Sequence, residues 1–422
     1  MVTSFIAKNC KISLNNAGAK LYEKVSYPVH HGIFTEIESD NFIFHFNLNA
    51  ELIRAKGKGP NWSHPHEWLK RTCGNDWIYY STGGYTGVFE STGEYYLPNL
   101  QYPTNNLIGG NPFEHKEVKQ IVDNWYPMLK ELSHNTGPLP DDFSSFLTAA
   151  LYNTPSRLET LAEKLFSVID GRVSVLPPDS RHINYNIIPL TISKGCLYKC
   201  RFCKVKNKIP FREKSRKEIA LQLDQLKNLF DRKLLNYNAV FLGEHDALQV
   251  SPELLCYSIE KSYSIFEFCN SYIEHNHTLM FGSVGSILQA PDQLFTNLEK
   301  LPGKKYINVG LESADQETLD YLGKPIRSFE VQEAFKKIQE INNKYNNIEI
   351  TVNFVMDEDL PQNHYSSMLQ LIRHSQSKTK PKGTVYLSPL KFDGPSRKHI
   401  FEFNRFKVLS RYPTFLYIIQ RL

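Results

Sequence analysis

The hydrophobic pattern changes period near residue 180. Upstream, through Phe42-Ile-Phe-His-Phe-Asn-Leu48, apolar and polar residues alternate over short runs, as half-buried strands do. Trp77-Ile-Tyr-Tyr-Ser-Thr-Gly-Gly-Tyr85 and Ser91-Thr-Gly-Glu-Tyr95 then repeat Ser-Thr-Gly-x-Tyr, which predicts a meander whose turns need positive φ at glycines such as Gly83 and Gly84. Two helices follow. In the first, Val118, Ile121, Val122, Trp125, Met128, Leu129 and Leu132 keep the 3.6-residue period. After Pro155-Ser156, Leu158, Leu161, Ala162, Leu165, Phe166 and Ile169 do the same. Val175-Leu-Pro-Pro-Asp-Ser180 reads as a linker, because paired prolines suit neither helix nor ladder. Residues 1–180 are therefore expected to form an N-terminal α+β domain, with no chemistry that the pattern names.

From 181 to 395 strand-like and helix-like runs alternate, the pattern of a parallel sheet with crossover helices. Strands are predicted at Ile187–Ile192, Asn238–Leu242, Thr278–Ser283, Lys305–Leu311, Glu349–Val355 and Gly383–Ser388. Helix starts are marked by the capping box Ser215-Arg-Lys-Glu218, by Ser251-Pro-Glu253, by Pro291-Asp292 and by Asp315. Six βα units over about 200 residues are too few for a closed eight-stranded barrel. The expected fold is α/β, an open, partial (β/α)6 barrel. Residues 396–422 form an amphipathic C-terminal tail, to be read either as a cover for the open side of the barrel or as an oligomer contact.

Composition narrows the class. With 422 residues, two or three domains are expected, and 41% hydrophobic with 22% charged residues is ordinary for a globular chain. No run reaches 18 apolar residues, so no membrane span is expected. The first ten residues lack the charged start and apolar core of a secretion signal. A net charge of +5 permits a nucleic-acid partner without arguing for one. Aromatics at 13% fit either well-filled cores or a pocket for a planar substrate. Seven cysteines do not form a secreted disulfide framework, which points to a reducing cytoplasm.

Three of those seven fall in Cys196-Leu-Tyr-Lys-Cys200-Arg-Phe-Cys203, just past the first predicted strand and the turn residue Gly195. Thiolates are soft ligands suited to zinc or iron–sulfur clusters. Three of them need a fourth ligand in a structural zinc site, whereas in a four-iron cluster they leave one iron open to a ligand that is not protein. His64-Pro-His66 offers a weaker metal pair, and Cys256 and Cys269 lack ligand spacing.

At the C-x3-C-x2-C triplet, with Phe202 just before its last cysteine, the chain resembles the radical S-adenosylmethionine (radical SAM) superfamily. The resemblance implies that Cys196, Cys200 and Cys203 hold three irons of a [4Fe–4S] cluster, and that SAM chelates the fourth iron through its amino and carboxylate groups. Phe202 would then pack near the SAM adenine. Past the second strand, Leu242-Gly-Glu-His-Asp-Ala-Leu248 resembles the family's glycine-rich turn, which implies that Gly243 and Glu244 meet the SAM methionine. His245 stands where that turn has a second glycine. Ser283, at the end of the third strand, joins the expected cofactor contacts. Val309-Gly-Leu-Glu-Ser-Ala-Asp-Gln-Glu-Thr-Leu-Asp-Tyr-Leu-Gly-Lys-Pro325 is similar to the fourth-strand motif of the branch containing oxygen-independent coproporphyrinogen oxidase. That likeness implies that Glu312 touches SAM and that Lys324 reaches its carboxylate, chemistry a carboxylate and an ammonium can perform.

The resemblance covers roughly residues 185–390. Only Cys10 and Cys73 precede the triplet, and no Asp-x-His-x-x-Gly motif occurs, which disfavours the methylthiotransferase and cobalamin-dependent subclasses. The implied activity is reductive cleavage of SAM to a 5′-deoxyadenosyl radical that takes hydrogen from an unidentified substrate. An electron donor such as flavodoxin or ferredoxin is implied with it. Lys204–Lys217, with seven basic residues against one acid, suits such a donor, an anionic substrate, or plain solvent. Two other readings stay open: a cluster- or zinc-binding protein without catalysis, and a radical SAM enzyme acting on RNA. No residue is singled out as an acid or hydrogen donor.

Overall fold

A computed structural model describes residues 3–7, 10–21, 30–62, 67–81, 96–98, 113, 115–183, 186–203, 209–373, 382–390, 403 and 405–417. The N-terminal strands are β1 (Thr3–Ala7), β2 (Cys10–Ala17), β3 (Ile33–Ser39), β4 (Phe42–Phe46), β5 (Leu52–Gly57), β6 (Glu67–Arg71), β7 (Trp77–Ser81) and β8 (Tyr96–Pro98). They form an antiparallel meander in sequence order. Alternation in β4 and β5 puts Phe42, Phe44, Ala55 and Gly57 in cross-strand register, and these residues are buried. Helix α1 (Lys116–Asn135) packs on β5, burying Val118, Ile121, Trp125, Leu129 and Leu132 as the period requires. Helix α2 (Asp141–Tyr152) has an apolar stripe that the sequence reading passes over, and α3 (Pro155–Ile169) begins at a proline behind the Thr154 cap. Gly83, Gly84 and the Ser91–Tyr95 repeat lie outside the described residues.

The core follows as β9 (Ile188–Leu190), a ribbon of β10 (Ser193–Lys194) with β11 (Arg212–Glu213), α4 (Arg216–Phe230), β12 (Ala239–Asp246), α5 (Pro252–Ile265), β13 (His277–Ser283), α6 (Val284–Gln289), α7 (Asp292–Lys300), β14 (Lys304–Glu312), α8 (Gln316–Leu322), α9 (Ser328–Lys344), β15 (Ile348–Met356), α10 (His364–Arg373), β16 (Val385–Pro389) and β17 (Thr414–Leu416). Seven strands pair in parallel in the order β17-β16-β15-β14-β13-β12-β9, with β9 and β17 at the open edges. The fold is α/β, and all six expected strands are present. The seventh, β17, comes from the segment read as a tail; a run of three residues is too short to announce a strand. Near-continuous apolar strands such as Ala239–Leu242 suit a sheet covered on both faces. The Ser215–Glu218 capping box forms in full. Ser251, by contrast, makes no side-chain cap, because its hydroxyl bonds Glu213 Oε2 at 3.0 Å.

The expected linker is not a solvated hinge. Asp179 and Ser180 are fully buried. Thr351 and Tyr386 donate to the two oxygens of Asp179 at 2.8 and 2.9 Å, and His182 stacks on Tyr306. Thr351 and Tyr386 share a face of β15 and β16 with Asn353 and Ser388, two residues further along. The paired prolines thus start a strap along the inner face of the sheet, where a segment without ladder bonds fits.

Candidate active site

Parallel strands deliver their C-terminal ends to one side of the sheet, where α/β folds bind ligands. There a cavity of about 530 Å³ is lined from the loop after β9, from the ends of β12 through β16, and from Tyr417 just past β17. Cys196, Cys200, Cys203, Phe202, Glu244, Ser283, Glu312 and Lys324 all face it. Of the expected contacts, only Gly243 is not among its lining residues.

The cysteine loop is closed at its neck by the β10–β11 ribbon, a feature the sequence reading lacks, with Gly195 in the left-handed region at φ +76°. Arg201 ties the loop to α8: its backbone N–H donates to the Leu322 carbonyl at 2.9 Å and its guanidinium to the Asp320 carbonyl. Tyr198 N–H approaches Cys196 Sγ at 3.4 Å, and the Tyr198 hydroxyl accepts from Gly285 N–H at 3.1 Å. None of the three cysteines is in a disulfide; Cys200 is buried and the others half-buried. Burial raises the Cys196 thiol and pushes Cys200 up to about 11. Among the described residues no three His, Cys, Asp or Glu side chains are grouped closely enough to hold a metal ion. The loop thus brings its donors to one wall without the spacing of a loaded site.

Glu312 and Lys324 meet across the cavity edge. Lys324 Nζ lies 3.0 Å from Glu312 Oε1 and also donates to the Gly310 carbonyl at 2.5 Å. Both side chains are buried, and Glu312 Oε2 has no partner. Burial opposes the Lys324 charge, but Glu312, with Cys200 and Tyr198 adding to it, outweighs burial and holds the ammonium pKa above its ordinary value. The backbone bends to allow this: β14 has a register shift between Gly310 and Glu312, and Glu312 sits at φ +63°. A Cβ at Gly310 would come within 2.3 Å of Glu312 Oε1, so only glycine admits the carboxylate there.

The end of β12 is bent as well. Gly243 is at φ +78°, and the pairing with β13 shifts register between Leu242 and Asp246. Glu244, His245 and Asp246 then follow along the cavity wall. Glu244 Oε1 accepts from the backbone N–H and hydroxyl of Ser174 at 2.8 and 2.5 Å. Burial lowers the His245 pKa and pushes the Asp246 carboxyl up to about 6. The Ser283 side chain caps α6, bonding Ser286 N–H at 3.1 Å, so its hydroxyl is already engaged.

Sequence reasoning missed Asp246, Tyr198, Tyr417 and the polar pair Asn353 and Ser388, joined at 2.7 Å. Asp246 sits within the quoted turn and had a signal; the inner-face residues of β15 and β16 had none. His64, His66 and residues 204–208 of the basic run lie outside the described residues. Cys256 is half-buried on α5, and Cys269 is exposed beyond it.

Residues 190–364 match the family model of the Radical SAM superfamily. They are a radical SAM domain. A domain of that superfamily implies a [4Fe–4S] cluster and SAM. No functionally curated protein matches the sequence. Among solved structures, similarity is found to a radical SAM methyltransferase from Sphaerobacter thermophilus (14% identity, 55% of this chain and 66% of that one, TM-score 0.38). The cobalamin-dependent S-adenosylmethionine radical enzyme OxsB follows (14%, 54% and 30%, TM-score 0.32), and methylornithine synthase PylB is also similar (13%, 61% and 74%, TM-score 0.35). The matched part spans less than two thirds of the first two, and likenesses of this size decide nothing about the present reaction.

The donor set on this cavity suits the implied groups. Three soft donors outside any disulfide share one loop, while the orphaned Glu312 Oε2 and the Lys324 ammonium offer an acceptor and a donor to a zwitterionic ligand. Among the described residues no helix is long and apolar enough to cross a membrane.

Proposed function

We propose that the protein cleaves SAM reductively to abstract hydrogen from a substrate not yet identified. The observation that carries this reading is the shared cavity: three cysteines of one loop face the same space as Glu244, Glu312 and Lys324. Cys196, Cys200 and Cys203 would hold the [4Fe–4S] cluster. When bound, the cluster and SAM together supply a 5′-deoxyadenosyl radical. The chain's part is orientation and exclusion of water. Phe202 would flank the adenine. Gly243 and Glu244 would receive the methionine amino group, with Ser283 beside them. The likeness of Val309–Pro325 to the oxygen-independent coproporphyrinogen oxidase branch supports Glu312 and Lys324 as further SAM contacts. The apolar Phe281, Val355 and Leu390 would keep the cavity dry around the reacting bond.

The class further suggests a cytoplasmic protein served by a flavodoxin or ferredoxin, and residues 1–180 would form a separate α+β domain of unknown role. The test is anaerobic reconstitution with iron and sulfide, then dithionite and SAM. Wild type is expected to bind about four irons per chain, as such a cluster requires, and to release 5′-deoxyadenosine. Cys200→Ala is expected to lose both. A Cys200→Ala protein that keeps its iron and cleaves SAM would refute the proposal.

A further inference from the structure

The strap that replaces the expected linker ends at the proposed SAM site. Ser174 directs two donors, its backbone N–H and its hydroxyl, at the same oxygen of Glu244. Val175 lines the cavity, the Leu176 carbonyl accepts from the Tyr417 hydroxyl, and Asp179 binds Thr351 and Tyr386. Within six residues the strap is therefore fixed to the end of β12, to the residue past β17, and to β15 and β16. Segments that only connect domains run over the surface and bond water. This one instead places its hydrogen bonds on a carboxylate at the cavity wall.

The geometry points to Ser174 as a positioning residue that aims the Glu244 carboxylate at SAM. Two donors on Oε1 fill the lone pairs of that oxygen and leave Oε2 to accept from a ligand. A glutamate has three rotatable bonds, and freezing them in advance removes an ordering cost from ligand binding. Ser174 lies outside the segment that matches the family model, so the strap adds to the radical SAM domain a contact the domain does not itself contain. The proposal rests on the reading of Glu244 as a SAM contact.

The experiment is equilibrium dialysis of labelled SAM against reconstituted, oxidised protein, in which no turnover occurs, with iron content measured alongside. Ser174→Thr keeps the hydroxyl, whereas Ser174→Val has nearly the same shape without it. Threonine is expected to bind as wild type and valine about tenfold more weakly, as for a lost hydrogen bond to a charged group, with iron content unchanged in both. Equal SAM affinity of the threonine and valine proteins, with Glu244→Gln weakened, overturns the positioning role and leaves the strap merely structural. If Glu244→Gln also binds SAM as wild type, the assignment of Glu244 fails, and the proposal fails with it.

Discussion

Glu312 and Lys324 are paired with each other, at 3.0 Å and away from solvent, although each is expected to serve a ligand. The pair spans the chain from the end of β14 to just past α8, and it is completed by the Lys324 bond to the Gly310 carbonyl. Burying two charges costs nearly what their attraction returns, so such a pair adds little net stability. Removing one partner is different, because it strands the other charge in a dry place.

Lys324→Met is therefore expected to lower the stability of the ligand-free protein by about 3 kcal/mol, the low end for a broken buried pair. The double variant with Glu312→Gln is expected to recover most of that loss. Urea unfolding of the four proteins in the cycle measures the coupling. Additive single effects would show that the pair is not coupled.

Asp246 predicts a dependence on pH. Burial raises its carboxyl to about 6, whereas the unfolded chain titrates near the ordinary aspartate value of 3.8. Below 3.8 both states hold the proton and Asp246 contributes nothing. As pH rises to 6 the unfolded state ionises first, and stability falls by roughly 3 kcal/mol for a shift of about two units. Asp246→Asn is expected to match wild type at pH 4 and to exceed it at pH 7, read from urea midpoints at the two values. A difference independent of pH would contradict the raised carboxyl. A site group that destabilises the empty protein is expected where function rather than stability places it.

The N-terminal sheet is held by a buried ion pair of its own. Lys233, just past α4, bonds Glu51 at 2.9 Å; Asn47 also donates to Glu51, at 2.9 Å, and Arg71 lies 3.9 Å away. Burial would raise the Glu51 carboxyl, but Lys233 and then Arg71 outweigh it and hold it below its ordinary value. A depressed carboxyl stabilises above its unfolded pKa, and that contribution is lost as pH falls through the folded pKa. Lys233→Met is expected to cost about 3 kcal/mol at neutral pH and to flatten the loss of stability in acid. Thermal unfolding at pH 7 and pH 4 tests both; an unchanged midpoint at pH 7 would count against the pair as an anchor.

Other contacts of that sheet fall at the same end of the barrel. Asn236 bonds the backbone of Ile33, Asn49 donates to the Phe230 carbonyl, the Tyr272 hydroxyl donates to the Gly18 carbonyl, and Lys70 donates to Asn186. Residues 186, 236 and 272 each precede a core strand, so they lie opposite the cysteine loop. Asp76, just before β7, pairs with Arg172, two residues ahead of Ser174.

Local patterns were enough for most of the elements and for the candidate ligands that lie close together in the chain. The alternation of strand and helix, the Ser215 capping box and the three cysteines within eight residues are all set by neighbours in sequence. Period and spacing carry such features directly. What the tertiary structure alone decided joins residues far apart. Ser174 meets Glu244 across 70 positions, Asp179 meets Tyr386 across 207, and a three-residue strand completes the sheet from beyond residue 410. These contacts depend on which strand ends the parallel sheet brings together, and chain order fixes that only after the sheet has formed. Asn353 and Ser388 look like ordinary polar residues in apolar strands until the sheet curves and turns them toward one cavity.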